Sequence, residues 1–194
     1  MGWSRKKRRT VNASEFTDVL QGVLADVLRD YGPAMEKHLA AAHTFAERGE
    51  VAAEVLALAV SFVAQVCTLT FRQKGSDVAP ALNLWMRKLC ERLPDDRWLP
   101  ARATEYSGVI MEDLGSLDEC LAGRVTGIYP FKCTIALFLG RPFEKGSRLP
   151  TAAETADWKQ FSLETLVPAA GFLTDGFQRF AEDIDVENFI PVTR

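Results

Sequence analysis

The stretch VAAEVLALAVSFVAQVCTLTF, residues 51–71, decides the fold. From position 55 to position 71 its one ionisable side chain is the thiol of Cys67. Apolar side chains therefore occupy every face of a helical wheel, and a helix of that kind is normally enclosed by other helices. The stretch predicts the centre of an all-α bundle. Leu and Ala outnumber β-branched residues in the chain and no long segment alternates with period two, so sheet is not expected. Seventeen residues without a formal charge also sit at the short limit for crossing a hydrocarbon core of about 30 Å. The competing expectation is thus a membrane-associated helical protein using the apolar helix 51–71. Gln65 inside the stretch, Glu54 at its edge and charged amphipathic segments on either side favour a core helix.

On the N-terminal side, Phe16, Val19, Leu20, Val23, Leu24, Val27, Leu28 and Tyr31 recur at intervals of three and four, the period of one helix face. Asn12 followed by Glu15 predicts a capping box at the start of this helix. Gly32-Pro33 is expected to end it and to start a second helix over 34–48, stopped by Gly49, so that the two form an antiparallel hairpin. On the C-terminal side, a helix over 77–93 would carry Leu82, Trp85, Met86, Leu89 and Leu93 inward and Arg87, Lys88, Glu91 and Arg92 outward, with Pro94 closing it.

The second half is punctuated by glycine or proline about every ten residues, including Pro100, Gly108, Gly115 and Gly123, and short helices are expected there. Capping boxes at Ser116/Glu119 and Thr151/Glu154 predict two helix starts, and another is expected at Ser162 or Pro168. Leu166, Leu173, Phe177, Phe180 and Ile184 supply the inner face of the last helix. At 194 residues and 47% hydrophobic content, one core is the expectation. The reading is a single-domain all-α bundle of about seven to nine helices: a basic N-terminal arm over 1–11, a helical domain over 12–184 and a C-terminal tail over 185–194.

Charge is segregated along the chain. Arg5, Lys6, Lys7, Arg8 and Arg9 precede the first amphipathic helix; without these five, eighteen cations face 26 carboxylates, a balance of −8 on the body. A cationic leader on an acidic body points to a polyanionic partner, because Lys and Arg placed against phosphates release counterions. The same run has the form of a nuclear import signal, or of a solubilising terminus. Trp3 offers a ring on which a base could stack. No signal peptide is expected, since the basic start leads into a charged amphipathic helix. Cys67, Cys90, Cys120 and Cys133 are far apart within apolar helical patterns, as befits buried thiols in a reducing compartment, the cytoplasm or, in a eukaryote, the nucleus.

Catalytic signals are sparse. His38 and His43 are five residues apart and point about 140° from each other on a helix, so they do not share a metal. His43 with Glu47 is a lone pair without a second motif. The spacing of Asp183, Asp185 and Glu187 opens like a calcium loop, but Asn188 and Arg194 stand where glycine and glutamate are needed. The segment GRPFEKGSRLP, residues 140–150, lacks the spacing and lysine of a phosphate-binding loop. Its Arg141, Lys145 and Arg148 form a weak candidate anion-binding loop, with a solvated connector as the plainer alternative. No metal or cofactor is expected. The sequence reads as a non-enzymatic interaction protein, an adaptor, inhibitor or component of a nucleoprotein or virion-like assembly. Its body would dock on another protein, and its arm would contact nucleic acid or another polyanion.

Overall fold

A computed structural model describes residues 9–41, 48–93, 97–121, 131–139 and 152–185. In chain order the elements are β1 (Arg9–Thr10), α1 (Ala13–Ala41), α2 (Arg48–Gln73), α3 (Ala79–Cys90), α4 (Trp98–Leu121), α5 (Lys132–Phe138), α6 (Ala152–Phe161), a π-helical turn (Ser162–Leu166), α7 (Val167–Asp183) and β2 (Ile184–Asp185). The class is all-α, as expected. Because α6, the π turn and α7 follow one another without interruption, the described residues form six continuous helical bodies instead of seven to nine.

Helix α2 packs against α1, α4 and α7. Ala57, Leu58, Ala59, Val60, Phe62 and Val63 are all fully buried, so consecutive residues face inward in every direction, the situation the apolar stretch predicts. Small residues let α4 approach closely: the Ser61 hydroxyl lies 2.8 Å from the Ala57 carbonyl oxygen and 2.9 Å from that of Ala103. One hydrophobic cluster links these helices with α3, α5 and α6.

The expected hairpin at Gly32-Pro33 is not formed, because α1 runs through both residues. A proline inside a helix loses one hydrogen bond and crowds the carbonyl four residues earlier, a cost of roughly 3 kcal/mol. Pro33 lies on the exposed side, while Val27, Met35 and Leu39 continue the inward stripe and are fully buried. Burying the two beyond the proline, Met35 and Leu39, contributes about 1.5–3 kcal/mol each, enough to carry the helix past it. The breaks anticipated at Gly108 and Gly115 are absent for the same reason: α4 is a single helix of 24 residues, held by Leu99, Ala103, Tyr106 and Ile110 on its buried side. At the start expected at Ser162 or Pro168 the chain enters a π turn over Ser162–Leu166 and α7 begins at Val167, with no break between them.

Where α2 ends, Gly75 adopts φ +77°, the left-handed conformation open to glycine. The Ser76 N–H then donates back to the Phe71 carbonyl at 3.0 Å. At the start of α1 the capping box forms as read from the sequence: the Glu15 N–H donates to Asn12 Oδ1 at 3.0 Å and the Asn12 N–H to Glu15 Oε2 at 3.1 Å.

Candidate functional site

The basic leader meets the body at a pair of two-residue strands. β1 pairs in parallel with β2, Arg9 opposite Ile184 and Thr10 opposite Asp185, and Val11 and Ile184 are buried at 4% and 5% exposure. The boundaries drawn from the sequence therefore shift. Residues 9–11, assigned to the basic arm, belong to the fold, as does position 185, because Val11, next to β1, and Ile184, within β2, reach the core. Arg5, Lys6, Lys7 and Arg8 lie outside the described residues, as do Arg141, Lys145 and Arg148 of the candidate loop and the His43/Glu47 pair.

Arg9 is 75% exposed, and its Nη2 stands 3.4 Å from Glu15 Oε1. An exposed pair of this kind contributes at most about 1 kcal/mol, little enough for a competing phosphate to displace it. One helical turn further on, Lys88 of α3 reaches across to α1: its Nζ donates to Thr17 Oγ1 at 2.8 Å and to Ser14 Oγ at 3.4 Å. The root of the leader and the outer face of α3 are thereby neighbours. Nothing in the sequence announced this adjacency, because Ser14 and Lys88 are 74 residues apart.

A second polar group was also missed. Glu54, read as the edge of an apolar helix, is 2% exposed. Its Oε1 accepts hydrogen bonds from Arg102 Nε at 2.8 Å, from Arg102 Nη2 and from the Tyr106 hydroxyl. Arg102 also reaches Glu105 and donates to the Leu137 carbonyl at 3.2 Å, so the network joins α2, α4 and α5. Burial works against the Arg102 charge, but its hydrogen bonds to Glu54 and Glu105 prevail and hold the guanidinium above its usual range. The Tyr106 hydroxyl is driven upward by burial first and by the Glu54 charge second. Nearby, Asp113, 3% exposed, receives the Thr134 N–H and hydroxyl, both at 2.7 Å, and the Cys133 N–H at 3.3 Å. This carboxylate caps α5, whose preceding residue Phe131 is held at φ 63° against Phe62, ring centroids 5.2 Å apart. Burial, and next the Asp113 charge, push the Cys133 thiol up to about 12, so it stays protonated and is no activated nucleophile. Burial raises Cys67 likewise.

At the π turn, His38 of α1 stacks on Phe161 with centroids 4.5 Å apart. Burial, with Lys37 adding to it, lowers the imidazole below its ordinary range, against the opposing pull of Asp157 and Glu164. The unfolded chain thus binds this proton more readily than the folded one. The contribution to stability is whole above the unfolded value of about 6.5 and is lost as pH falls through the folded value. Urea unfolding at pH 7 and pH 5 is expected to show a smaller drop for His38→Gln than for the parent; equal drops would mean that His38 carries none of the pH dependence.

A cleft of about 490 Å³ opens beside the turn from α2 to α3, lined by Thr68, Arg72, Gly75, Ser76, Asp77 and Val78. Asp77 already caps the start of α3, accepting from the Ala79 N–H at 2.9 Å. Among the described residues no three His, Cys, Asp or Glu side chains are grouped to hold a metal ion. No family model matches the chain, and neither a curated protein nor a solved structure matches it. The polar groups in the interior hold helices together, whereas Arg9, at the leader's root, is exposed beside Glu15.

Proposed function

We propose that this chain is a non-enzymatic helical interaction protein. Its leader, Arg5, Lys6, Lys7, Arg8 and Arg9, contacts nucleic acid or another polyanion, and its helical body docks on a protein partner or larger assembly. The observation that carries the reading is the charge segregation: five consecutive cations on a body of net −8. The fixed root gives that segregation a mechanical consequence. Arg9 is held by the strand pair, so less conformational entropy is lost when it meets a phosphate than from a long free tail.

The membrane alternative finds less support. Residues 50–73 have the length and composition to cross a bilayer, with mean hydropathy 1.9 in an 18-residue window. To do so α2 would have to leave α1, α4 and α7 and take the Glu54 carboxylate into hydrocarbon, a cost of several kcal/mol. Recovery of the intact chain in detergent-extractable membrane would favour that alternative.

The test is binding of a labelled oligonucleotide as a function of salt. Residues 9–11 are part of the fold, so the appropriate truncation removes residues 1–8. Losing four cations is expected to reduce the slope of log K against log[salt] by about 3 for a single strand. An unchanged slope would reject the arm as the contact.

A further inference from the structure

Resting on the arm reading, we infer that the outer face of α3 and the turn after it continue from Arg9 into one track for single-stranded nucleic acid, with Arg87 and Arg92 meeting phosphates, Lys88 holding the face against α1 and Trp98 stacking on a base. Lys88 fixes the place of this face. Its bonds to Ser14 and Thr17 put the α3 cations beside the first turn of α1, where Arg9 also sits. Arg87 and Arg92 are exposed, and neither forms an ion pair with any described residue. They flank Glu91, so the face carries three cations and one carboxylate on a body that is acidic as a whole.

Trp98 supplies what cations alone do not. It is 37% exposed and opens α4, six residues after Arg92, so the chain limits their separation to about 22 Å; Asp95 and Asp96, in that connection, lie outside the described residues. Cations tracking a backbone beside an exposed aromatic ring are the components of a sequence-tolerant single-strand site. An anionic membrane would use the same charges, and firm attachment to it would add an apolar face that inserts. That face is missing here: Ala81, Trp85 and Leu89 are buried, and the other exposed large apolar side chains among the described residues, Met111, Leu163 and Phe172, belong to α4, the π turn and α7.

The experiment measures fluorescence anisotropy of a labelled oligothymidine of about 20 nucleotides, long enough for one site of this class, with the full-length chain between about 50 and 200 mM salt. The doubly substituted chain R87Q/R92Q is expected to lower the salt slope by about 1.4, at 0.7 per cation, with the leader intact. Trp98→Ala is expected to weaken binding about 5- to 150-fold for one lost stack without changing the slope. Circular dichroism melts confirm folding; should Trp98→Ala melt early, Trp98→Phe, which keeps a ring, must retain binding. Loss of binding on removing residues 1–8, with R87Q/R92Q and Trp98→Ala indistinguishable from the parent, overturns the track and leaves the arm reading standing. The reverse pattern upholds the α3 face and rejects the arm. Binding of the same variants to phosphatidylserine vesicles in place of the oligonucleotide overturns the assignment to nucleic acid.

Discussion

Replacing Arg102 by leucine is expected to lower the unfolding free energy by about 3–5 kcal/mol, because it strands the Glu54 carboxylate in the interior without its cation. Glu54 is 2% exposed and accepts from Arg102 and Tyr106 through the same oxygen. With the guanidinium gone, Tyr106 alone faces a full negative charge, and the Leu137 carbonyl loses the donor at 3.2 Å that ties α5 to α4. Placing Glu54→Gln alongside Arg102→Leu removes the buried charge, keeps an acceptor for the Tyr106 hydroxyl and brings an amide within the same network. The double substitution is expected to recover at least half of the loss, the non-additivity typical of groups sharing one network. Urea titrations of the three proteins decide the matter. A loss below about 0.5 kcal/mol for Arg102→Leu, the ordinary range for a surface site, would show that the ion pair is open to water in solution.

Phe71→Ala is the second large effect, also expected at about 3–5 kcal/mol. The ring is 1% exposed and stands edge-on to Phe16 at 5.3 Å and 83°, with Phe177 and Phe180 each at 6.5 Å. Phe16 and Phe180 lie 5.8 Å apart. These four rings close α1, α2 and α7 around one point, and each edge-to-face pair adds about 0.5–1.5 kcal/mol to what area burial alone contributes. Phe71→Leu, which leaves a smaller void, should cost clearly less. The readout is a drop in the denaturation midpoint at an unchanged m value, with faster amide exchange along α7, the helix that loses most of its hold on α2. A loss under about 1 kcal/mol would mean that the neighbouring rings collapse into the space, and that the cluster is not the joint described here.

The two effects differ in how visible they were beforehand. Phe16, like Leu20, Leu24 and Val27, lies on a regular apolar stripe and Phe71 ends a stretch apolar on every face, and neither pattern has many ways to be satisfied other than by burial. Glu54 gave the opposite signal: a carboxylate beside an apolar run reads as the run's end, and only partners 48 and 52 residues away make it an interior group. The candidate surface divides in the same way. Five consecutive cations are plain in the sequence, and so was the outward face of α3, but that Arg9, the last of the five, lies near α3 is decided by the Lys88 contacts to Ser14 and Thr17.

Breaks in the chain were the weakest part of the reading, and the reason is one of magnitude. Gly108, Gly115 and Gly32-Pro33 each oppose a helix by about 1–3 kcal/mol, a local cost that a sequence scan registers at full weight. Burial of Met35 and Leu39, or of Tyr106 and Ile110, offsets that cost with contacts made by residues far away in the chain, and a scan has no means to count them.

By itself, then, the amino-acid order determined that this protein is helical, that residues 51–71 run through its middle, and that five consecutive cations stand ahead of an acidic remainder. Those properties follow from periodicity and composition, which are local. The lengths of the helices, the clasp of Arg9–Thr10 on Ile184–Asp185, the interior placement of Glu54 and the joining of the leader's root to α3 were decided only in three dimensions. Each of them depends on which distant side chains meet, and in a chain of this size such meetings carry more free energy than the local preferences they override.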